Sequence, residues 1–238
     1  MKLGFISDLH LSKNTSLTNE GFFTFLKTAA REFSPLYILG DLFEAWVGDD
    51  DDSDLAQDVI AALRTATRSG LEIFFIHGNR DFLCSESFAE QANVTILPDP
   101  FFMEFFDQAI ALSHGDDFCT QDTDYIEFKK EVRSKKWQQD FLLKPLSERQ
   151  DIAAAMRDAS HSNNDQKPLE IMDVTPDVID EFFQEHEIDL LIHGHTHRPG
   201  THELSCIKGT RIVLGDWHKT GWCLTLDDQT RSLEEFKL

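Results

Sequence analysis

The sequence predicts an α/β protein built around a largely parallel sheet. Short apolar runs recur along its 238 residues, and helix-length amphipathic segments separate the early ones. The runs are apolar almost throughout, which is typical of strands buried on both faces. Polar clusters follow several of these runs. Strand, helix and strand in alternation therefore predict a sheet covered by helices, with a ligand site at one edge.

The individual elements follow from the same pattern. A hairpin is expected at the end of the chain, where residues 222–226 and 232–237 flank the polar turn Asp227-Asp228-Gln229. Amphipathic periodicity predicts helices over 18–33 and 54–68. The apolar runs predicted to be buried strands are 2–7, 36–40, 72–77, 110–113, 189–193 and 210–215.

The region from 122 to 168 interrupts the alternation. Its pattern predicts helices over 125–136, 137–143 and 146–159, followed by a polar stretch over 160–167. We expect it to be a helical lid inserted into a core formed by 1–121 and 169–238. Residues 129–168 carry nine Lys and Arg against six Asp and Glu. This net-positive block favours a lid that faces something anionic, and a solvated basic helix face is the alternative.

Composition limits the class of protein. The length suits one large domain or two small ones, and 41% hydrophobic with 27% charged residues is typical of a globular protein. The net charge of −21 disfavours binding to duplex DNA or an anionic membrane unless positive charge is concentrated locally or metal ions are bound. The scattered cysteines form no Cys-x-x-Cys, as expected in a reducing cytosol. No apolar run reaches the ~18–20 residues of a membrane span, and the start does not resemble a signal peptide. We therefore expect a cytoplasmic protein.

Polar residues follow five of the predicted strands at the point where each strand ends. In open α/β sheets, ligands bind just beyond the carboxyl ends of the strands. The five segments are therefore expected to bring their polar side chains to one place. The clusters are Ser7-Asp8-Leu9-His10, Gly40-Asp41, residues 77–81, His114-Gly115-Asp116 and residues 193–197.

These clusters contain candidate metal ligands. They offer imidazole and oxygen donors without a thiolate, which favours divalent first-row metals such as Mn, Fe, Zn or Co. Seven donors are too many for one tetrahedral ion but suffice for two ions that share a carboxylate. Each cluster alone could be an ordinary turn or a structural histidine, so the prediction depends on all five. The donors are Asp8, His10, Asp41, Asn79, His114, His195 and His197.

The series 8–10, 40–41, 78–79, 114–116 and 194–197 resembles the calcineurin-like metallophosphoesterases. Within that family, residues 40–50, 78–82 and 195–199 are similar to the UDP-2,3-diacylglucosamine diphosphatases of lipid A synthesis. The resemblance implies a four-layer α/β/β/α sandwich, a two-manganese site and a helical lid. It also implies that one ion is held by Asp8, His10, Asp41 and His197, and the other by Asp41, Asn79, His114 and His195. Asp41 would bridge the two ions.

The resemblance further implies hydrolysis of the substrate's pyrophosphate bond by water attack on the α-phosphorus. The products would be UMP and 2,3-diacylglucosamine 1-phosphate (lipid X). We expect Asp41, Asn79, Arg80 and His114 to take part in catalysis. The substrate contacts implied by the resemblance are Asn79, Arg80, Asp122, Ser160, Asn164, Lys167 and His195.

Arg80 departs from the wider family, many members of which have a histidine after the motif asparagine. A phosphate monoester leaves readily without full protonation, so a fixed positive charge beside it can replace an acid. Arg80 therefore favours an anhydride substrate over an ordinary phosphodiester. The alternative is that Arg80 is only a salt-bridge partner of Asp81.

The apolar residues allow two interpretations. Phe82, Trp137 and 141–143 could line an acyl-chain slot or could be plain core. The run 101–106 could be core or could contact a bilayer. The expected partners are the glycolipid substrate and, peripherally, the cytoplasmic face of the inner membrane. We expect no nucleic acid and no obligate protein partner.

Two other functions compete with this hypothesis. One is a metallophosphoesterase that acts on nucleic acid or cyclic nucleotides, against which the net charge and Arg80 both argue. The other is a metal-binding scaffold that has lost catalysis. The intact set of seven donors argues against the scaffold.

Overall fold

In the computed structural model, which describes residues 1–164 and 171–238, two β-sheets lie face to face between layers of helices. The described residues form eleven strands, seven α-helices and one 3₁₀ turn at Asp116–Phe118. The helices α1 to α7 are Ser16–Glu32, Asp54–Arg68, Glu86–Ala92, Thr123–Val132, Lys135–Leu142, Leu146–Asn164 and Pro176–His186. The strands β1 to β11 are Leu3–Ile6, Leu36–Leu39, Ile73–Ile76, Thr95–Leu97, Phe101–Phe105, Gln108–Ser113, Leu190–His193, Gly200–Glu203, Thr210–Val213, Thr220–Leu226 and Arg231–Lys237.

Each sheet combines a set of parallel strands with antiparallel strands beside it. The first sheet has the order β11-β10-β1-β2-β3-β4, in which β1 to β4 run parallel and the terminal hairpin adds antiparallel to β1. The second has the order β5-β6-β7-β9-β8, in which β6, β7 and β9 run parallel. The carboxyl ends of both parallel sets lead into the predicted polar clusters.

Alternation of side chains along the strands divides the apolar residues into three layers. On β2, Ile38 packs towards the helices α1 and α2, whereas Leu39 packs between the two sheets. On β7, Leu191 faces α7 and contacts the layer that contains Phe183. Helices therefore cover the outer face of each sheet. The predicted α/β/β/α sandwich is confirmed.

Most predicted strands are present within one or two residues, and the helix predicted over 54–68 has those bounds. The sequence analysis did not predict α3, α7, β4 or β8. The run 101–106 was interpreted as core or bilayer contact. Its first five residues form strand β5, which pairs antiparallel with β6, and Phe101, Met103 and Phe105 pack in the apolar layer between the sheets.

Two helix boundaries in the inserted region differ from the prediction. The helix expected over 125–136 ends at Val132, because Ser134 begins a new helix by accepting a hydrogen bond from the Trp137 N–H at 3.3 Å. The polar stretch expected over 160–167 begins inside α6, which continues to Asn164. Ser160 and Asn164 are therefore both helical residues, and Lys167 lies outside the described residues.

Basic side chains help to attach helices α4 to α6 to the rest of the fold. Three contacts reach loops that follow β2 and β3, and one reaches the 3₁₀ turn after β6. They are Arg133 to the Gly78 carbonyl at 2.9 Å, Arg149 to the Val47 carbonyl and Asp50, Arg157 to Glu44, and Lys129 to Asp116 and Asp117 at 2.8 Å. Part of the positive charge of this region therefore pairs with acidic groups of the core.

Neither disulfides nor membrane spans are found in the parts described. The four cysteines are free thiols, and Cys206 is the exposed one among them. None of the helices within 1–164 and 171–238 has both the length and the apolar character required to cross a bilayer.

Trp217 links the terminal hairpin to the polar edge of the first sheet. Its indole is buried against Phe22 and Phe236 and donates to the Trp222 carbonyl at 3.1 Å, while its backbone N–H donates to the Asp8 carbonyl at 3.0 Å.

Trp217→Ala should lower the free energy of unfolding by about 3–5 kcal/mol, because it leaves a large cavity and an unpaired carbonyl. Urea unfolding measures this loss. Leu17→Ala on α1 is the control, since Leu17 is 52% exposed and its loss should cost less than about 0.5 kcal/mol. A loss below about 1 kcal/mol for Trp217→Ala would contradict the structural role of this residue.

Candidate metal centre

The five polar clusters predicted from sequence meet at one edge of the two sheets. Asp8 follows β1, Asp41 follows β2 and Asn79 follows β3, while the two histidine clusters follow β6 and β7. Backbone hydrogen bonds join these loops directly. The Asp8 N–H donates to the Gly40 carbonyl at 3.1 Å, and the Gly194 N–H donates to the His114 carbonyl at 2.9 Å.

Five of the seven candidate donors have left-handed backbone conformations. Their φ angles lie between 50° and 68°, a region that non-glycine residues visit rarely and that costs about 1–3 kcal/mol each. Such conformations persist only where the surrounding structure fixes them, and they cluster at functional sites. The five residues are Asp8, His10, Asp41, His195 and His197.

One group of donors contains Asp8, His10 and His197. The Nε2 atoms of the two histidines lie 3.3 Å apart, and Asp8 Oδ1 lies 3.4 Å from His197 Nε2. Asp41 borders the group, with Oδ2 at 3.8 Å from His10 Nε2. Ligand atoms bonded to one ion at about 2.1 Å lie roughly 3.0–3.4 Å from one another. These side chains could therefore hold a divalent cation.

The second group contains Asp41, Asn79, His114 and His195. Asn79 Oδ1 lies 2.9 Å from His114 Nε2 and 3.1 Å from His195 Nδ1. Asp41 Oδ1 lies 3.8 Å from His114 Nε2 and Oδ2 lies 3.8 Å from His10 Nε2, so this carboxylate borders both groups. Donor atoms of Asp8, Asp41 and His114 also lie within 4.8 Å of one another. Asp8 as well as Asp41 therefore borders both groups.

The hydrogen bonding of Asn79 tests whether a cation fits this second group. In the neutral ring of His114, the Nδ1–H donates to the Leu39 carbonyl at 2.9 Å, which leaves Nε2 as a lone pair. Asn79 Oδ1 then faces only other acceptors, as expected around a cation. With the amide reversed, its NH₂ would donate to both imidazoles and its oxygen would accept from Arg80 Nε at 3.2 Å. The donor set thus suits a bound divalent ion. Without an ion, reversing the Asn79 amide would satisfy the hydrogen bonds of the same groups.

The electrostatics of the site also favour a cation. Burial alone would lower the pKa of His114, but Asp41, Asp116 and Asp8 together raise it to about 9. That shift reflects an excess of negative charge, which a metal ion would neutralise. For His195, burial and the charge of His114 lower the pKa to about 4, so its imidazole is neutral and able to donate a lone pair.

Buried polar groups hold the two carboxylates in place. The His195 N–H donates to Asp8 Oδ2 at 3.0 Å, and the Arg80 N–H donates to Asp41 Oδ1 at 2.8 Å. Burial raises the pKa of Asp8, but the hydrogen bond and charge of His197, with His114 and His10, hold it well below its usual range. Asp8 is therefore ionised and able to act as a ligand.

Asp81 connects two of the ligand-bearing loops. Its carboxylate accepts from the N–H groups of Leu42 and Gly78, both at 2.7 Å, and burial with the charge of Asp41 raises its pKa to about 6. Among the described residues, the ion pair of Arg80 is with Asp41 Oδ2 at 3.9 Å. The alternative that Arg80 pairs with Asp81 is therefore wrong.

Two residues that the sequence analysis missed lie behind the histidines. Glu44 Oε2 is 3.3 Å from His10 Nδ1, and Asp216 Oδ2 is 4.0 Å from His197 Nδ1. Carboxylates in such positions fix which imidazole nitrogen faces a metal. Burial raises the pKa of Glu44, but the neighbouring His10, with Arg157 and Arg80, holds it at about 2. Asp216 follows strand β9, so the rule used for the other clusters could have found it.

The remaining predicted substrate contacts lie in the inserted region. Asp122 is buried and caps α4 by accepting from the Tyr125 N–H at 3.1 Å. Ser160 lies in α6, and Asn164 is its last residue. The Asn164 side chain and Lys167 lie outside the part of the chain that the structure describes. The structure thus brings Asn79, Arg80 and His195 together, and the substrate contacts from α4 and α6 stay a prediction.

Comparison with known proteins defines the class. A model of the calcineurin-like phosphoesterase family matches residues 1–199. The chain belongs to this family of hydrolases, and the resemblance inferred from its motifs is confirmed.

Similar proteins within the family have a more specific name. The chain is 46% identical to a UDP-2,3-diacylglucosamine hydrolase of Cellvibrio japonicus (strain Ueda107), over 92% of each protein. It is 43% identical to a protein of the same name from Enterobacter sp. (strain 638), over 98% of each. A solved archaeal phosphodiesterase aligns over the whole of both chains with a TM-score of 0.51 and 13% identity, which supports the fold alone.

Gly194→Ala should weaken manganese binding by roughly 10–100-fold, the range found when the surroundings of metal ligands are disturbed. A β-carbon at Gly194 would collide with the carboxylate of Asp8 and the side chain of Ser7. Calorimetric titration of the metal-free protein measures the change. Gly200→Ala is the control, because its β-carbon would first meet the flexible end of His202 at 3.3 Å. Equal manganese affinity in the two variants would contradict the placement of Asp8.

Proposed function

We propose that this protein hydrolyses the pyrophosphate bond of UDP-2,3-diacylglucosamine to UMP and 2,3-diacylglucosamine 1-phosphate. The observation that carries the proposal is the position of Asp41, which lies between two groups of metal donors and pairs with Arg80. The names of the similar proteins support the substrate.

We assign the donors to two divalent ions, which we propose are manganese. One ion is held by Asp8, His10, Asp41 and His197, and the other by Asp41, Asn79, His114 and His195. Mixed imidazole and oxygen donors suit manganese and other first-row divalent metals. When bound, two such ions supply a nucleophile from water at neutral pH and neutralise the charge on the phosphoryl oxygens.

Arg80 supplies the charge that the departing phosphate requires. Its guanidinium is one-fifth exposed, with Nε 3.9 Å from Asp41 Oδ2, so it borders the donor groups and still reaches solvent. A guanidinium stays protonated at neutral pH and can stabilise a phosphate monoester without transferring a proton. An alkoxide would instead need an acid. Arg80 therefore supports an anhydride substrate.

We propose that the inserted helices form a lid over the substrate. Residues 1–121 and 169–238 would form the core that carries this lid. Arg133 ties α4 to the Gly78 carbonyl beside Asn79, which brings the lid next to the site. Asp122, Ser160, Asn164 and Lys167 are its proposed substrate contacts.

An acyl-chain slot is proposed between the lid and the core. The ring centroids of Phe82 and Trp137 are 6.4 Å apart, and Trp137 stacks on Phe141 at 4.7 Å. Because Phe141 is buried in the core, we propose that Phe82 and Trp137 border the slot. Leu143, at 85% exposed, is not part of the proposed slot.

We propose a cytoplasmic enzyme that contacts the inner membrane peripherally. Ile126, Phe128, Leu142 and Leu143 are exposed apolar side chains of the proposed lid, and such residues can enter a bilayer interface. The net charge of −21 argues against nucleic-acid partners. No obligate protein partner is proposed.

The test of this function is hydrolysis of UDP-2,3-diacylglucosamine with manganese in oxygen-18 water, followed by phosphorus NMR. Attack on the α-phosphorus places the label in UMP and leaves the glycolipid phosphate unlabelled. Cleavage of single-stranded DNA or a cyclic nucleotide without release of UMP would overturn the substrate. Inactivity towards every phosphoester would favour the metal-binding scaffold.

Arg80→Ala should lower kcat by about 10²–10³-fold, the cost of losing one group that stabilises the transition-state charge. Both metal sites should keep their affinity, as measured by calorimetric titration. Arg68→Ala, on the exposed end of α2, is the control for loss of a surface arginine. Equal turnover by Arg80→Ala and Arg68→Ala would remove Arg80 from the reaction.

A further inference from the structure

A chain of side-chain contacts connects α6 to the first group of donors. Arg157 of α6 pairs with Glu44, with both Nε and a terminal nitrogen directed at Oε1. The other oxygen, Glu44 Oε2, lies 3.3 Å from His10 Nδ1. The two oxygens of one carboxylate thus face the inserted region and a candidate ligand.

The geometry gives Glu44 a specific effect on His10. The buried Nδ1 of His10 makes no hydrogen bond of good geometry within the described residues, and the Glu44 carboxylate lies 3.3 Å from it. When an Nδ1–H donates to a carboxylate, Nε2 keeps the lone pair, and His10 Nε2 is the atom that faces His197 Nε2 and Asp41 Oδ2. The backbone N–H of Glu44 also donates to the Leu11 carbonyl at 3.1 Å, which holds this loop beside His10. Glu44 is therefore placed to set the tautomer and orientation of the ring.

Arg157 fixes the carboxylate in turn. Glu44 is about one-third exposed, so without a partner its side chain could rotate into solvent. A guanidinium is planar, remains charged and holds a carboxylate with more directional bonds than an ammonium. Since Arg157 is on α6, the orientation of Glu44 depends on how α6 is attached.

We propose that Glu44 and Arg157 are positioning residues that couple attachment of α6 to metal affinity at the group containing His10. The inference rests on the proposed metal centre. Coupling between two sites is reciprocal, so a bound ion should stabilise the attachment of α6 as much as that attachment strengthens binding of the ion.

A second ion pair on the same helix provides a matched control. Arg149 pairs with Asp50 and donates to the Val47 carbonyl at 2.6 Å, so it also attaches α6 to the loop after β2. Its partner Asp50 is outside both donor groups. Glu44→Gln and Asp50→Asn each weaken one carboxylate–arginine pair, but only the first changes a residue that contacts a candidate ligand.

The experiment is calorimetric titration of manganese into metal-free protein, with hydrogen exchange of 146–164 measured with and without the metal. Glu44→Gln should weaken one of the two manganese sites by roughly 10-fold or more. Arg157→Ala should weaken the same site by at least about 5-fold. Asp50→Asn should stay within about 2-fold of wild type. Manganese should slow exchange in α6 of the wild-type protein and do so less in Glu44→Gln.

Two results would overturn the inference. One is unchanged manganese affinity in Arg157→Ala. The other is a loss of manganese affinity in Asp50→Asn as large as that in Glu44→Gln, which would indicate a general effect of loosening α6. The assay contains no substrate, so a wrong substrate assignment would not alter its outcome. Wild-type protein that bound fewer than two manganese ions would contradict the metal centre itself.

Discussion

The structure depends on holding two carboxylates side by side with almost no access to water. Asp8 is fully buried and Asp41 is 2% exposed. Charge buried in this way is costly unless it is hydrogen-bonded and neutralised. Backbone N–H groups of the loops donate hydrogen bonds to the carboxylates. Left-handed backbone conformations at ligand positions direct these N–H groups and the imidazoles into the site. The surrounding histidines neutralise the charge only in part, so the arrangement calls for cations.

The excess of acidic side chains in the core also explains how the inserted helices are attached. Residues 129–168 carry a net positive charge within a chain of net charge −21, and three of their arginines and one lysine bind the core. These contacts reach loops that also carry candidate ligands. Gly78 precedes Asn79, and Glu44 touches His10. Attachment of this region and the geometry of the metal centre are therefore physically connected, whatever the substrate.

The fold class and the meeting of the five clusters could be predicted because both follow from local rules. Apolar runs mark buried strands, and parallel strands present their carboxyl ends together. Strand β5 was missed because its apolar residues occur consecutively and hide the alternation. Helix α7 had usable signals, with Pro176 at its first turn and paired apolar residues at Val178, Ile179, Phe182 and Phe183. The role of Glu44 could not be predicted, since its approach to His10 and Arg157 exists only in the folded chain.

The most direct test of the central claim, that these loops hold two cations around Asp41, is electron paramagnetic resonance of the manganese-loaded protein. Wild type should bind two ions and give the spectrum of an exchange-coupled pair. Asp41→Ala should lose the coupling along with bound manganese, because it removes a donor from both groups. A wild-type spectrum of isolated manganese, unchanged in Asp41→Ala, would contradict the shared site.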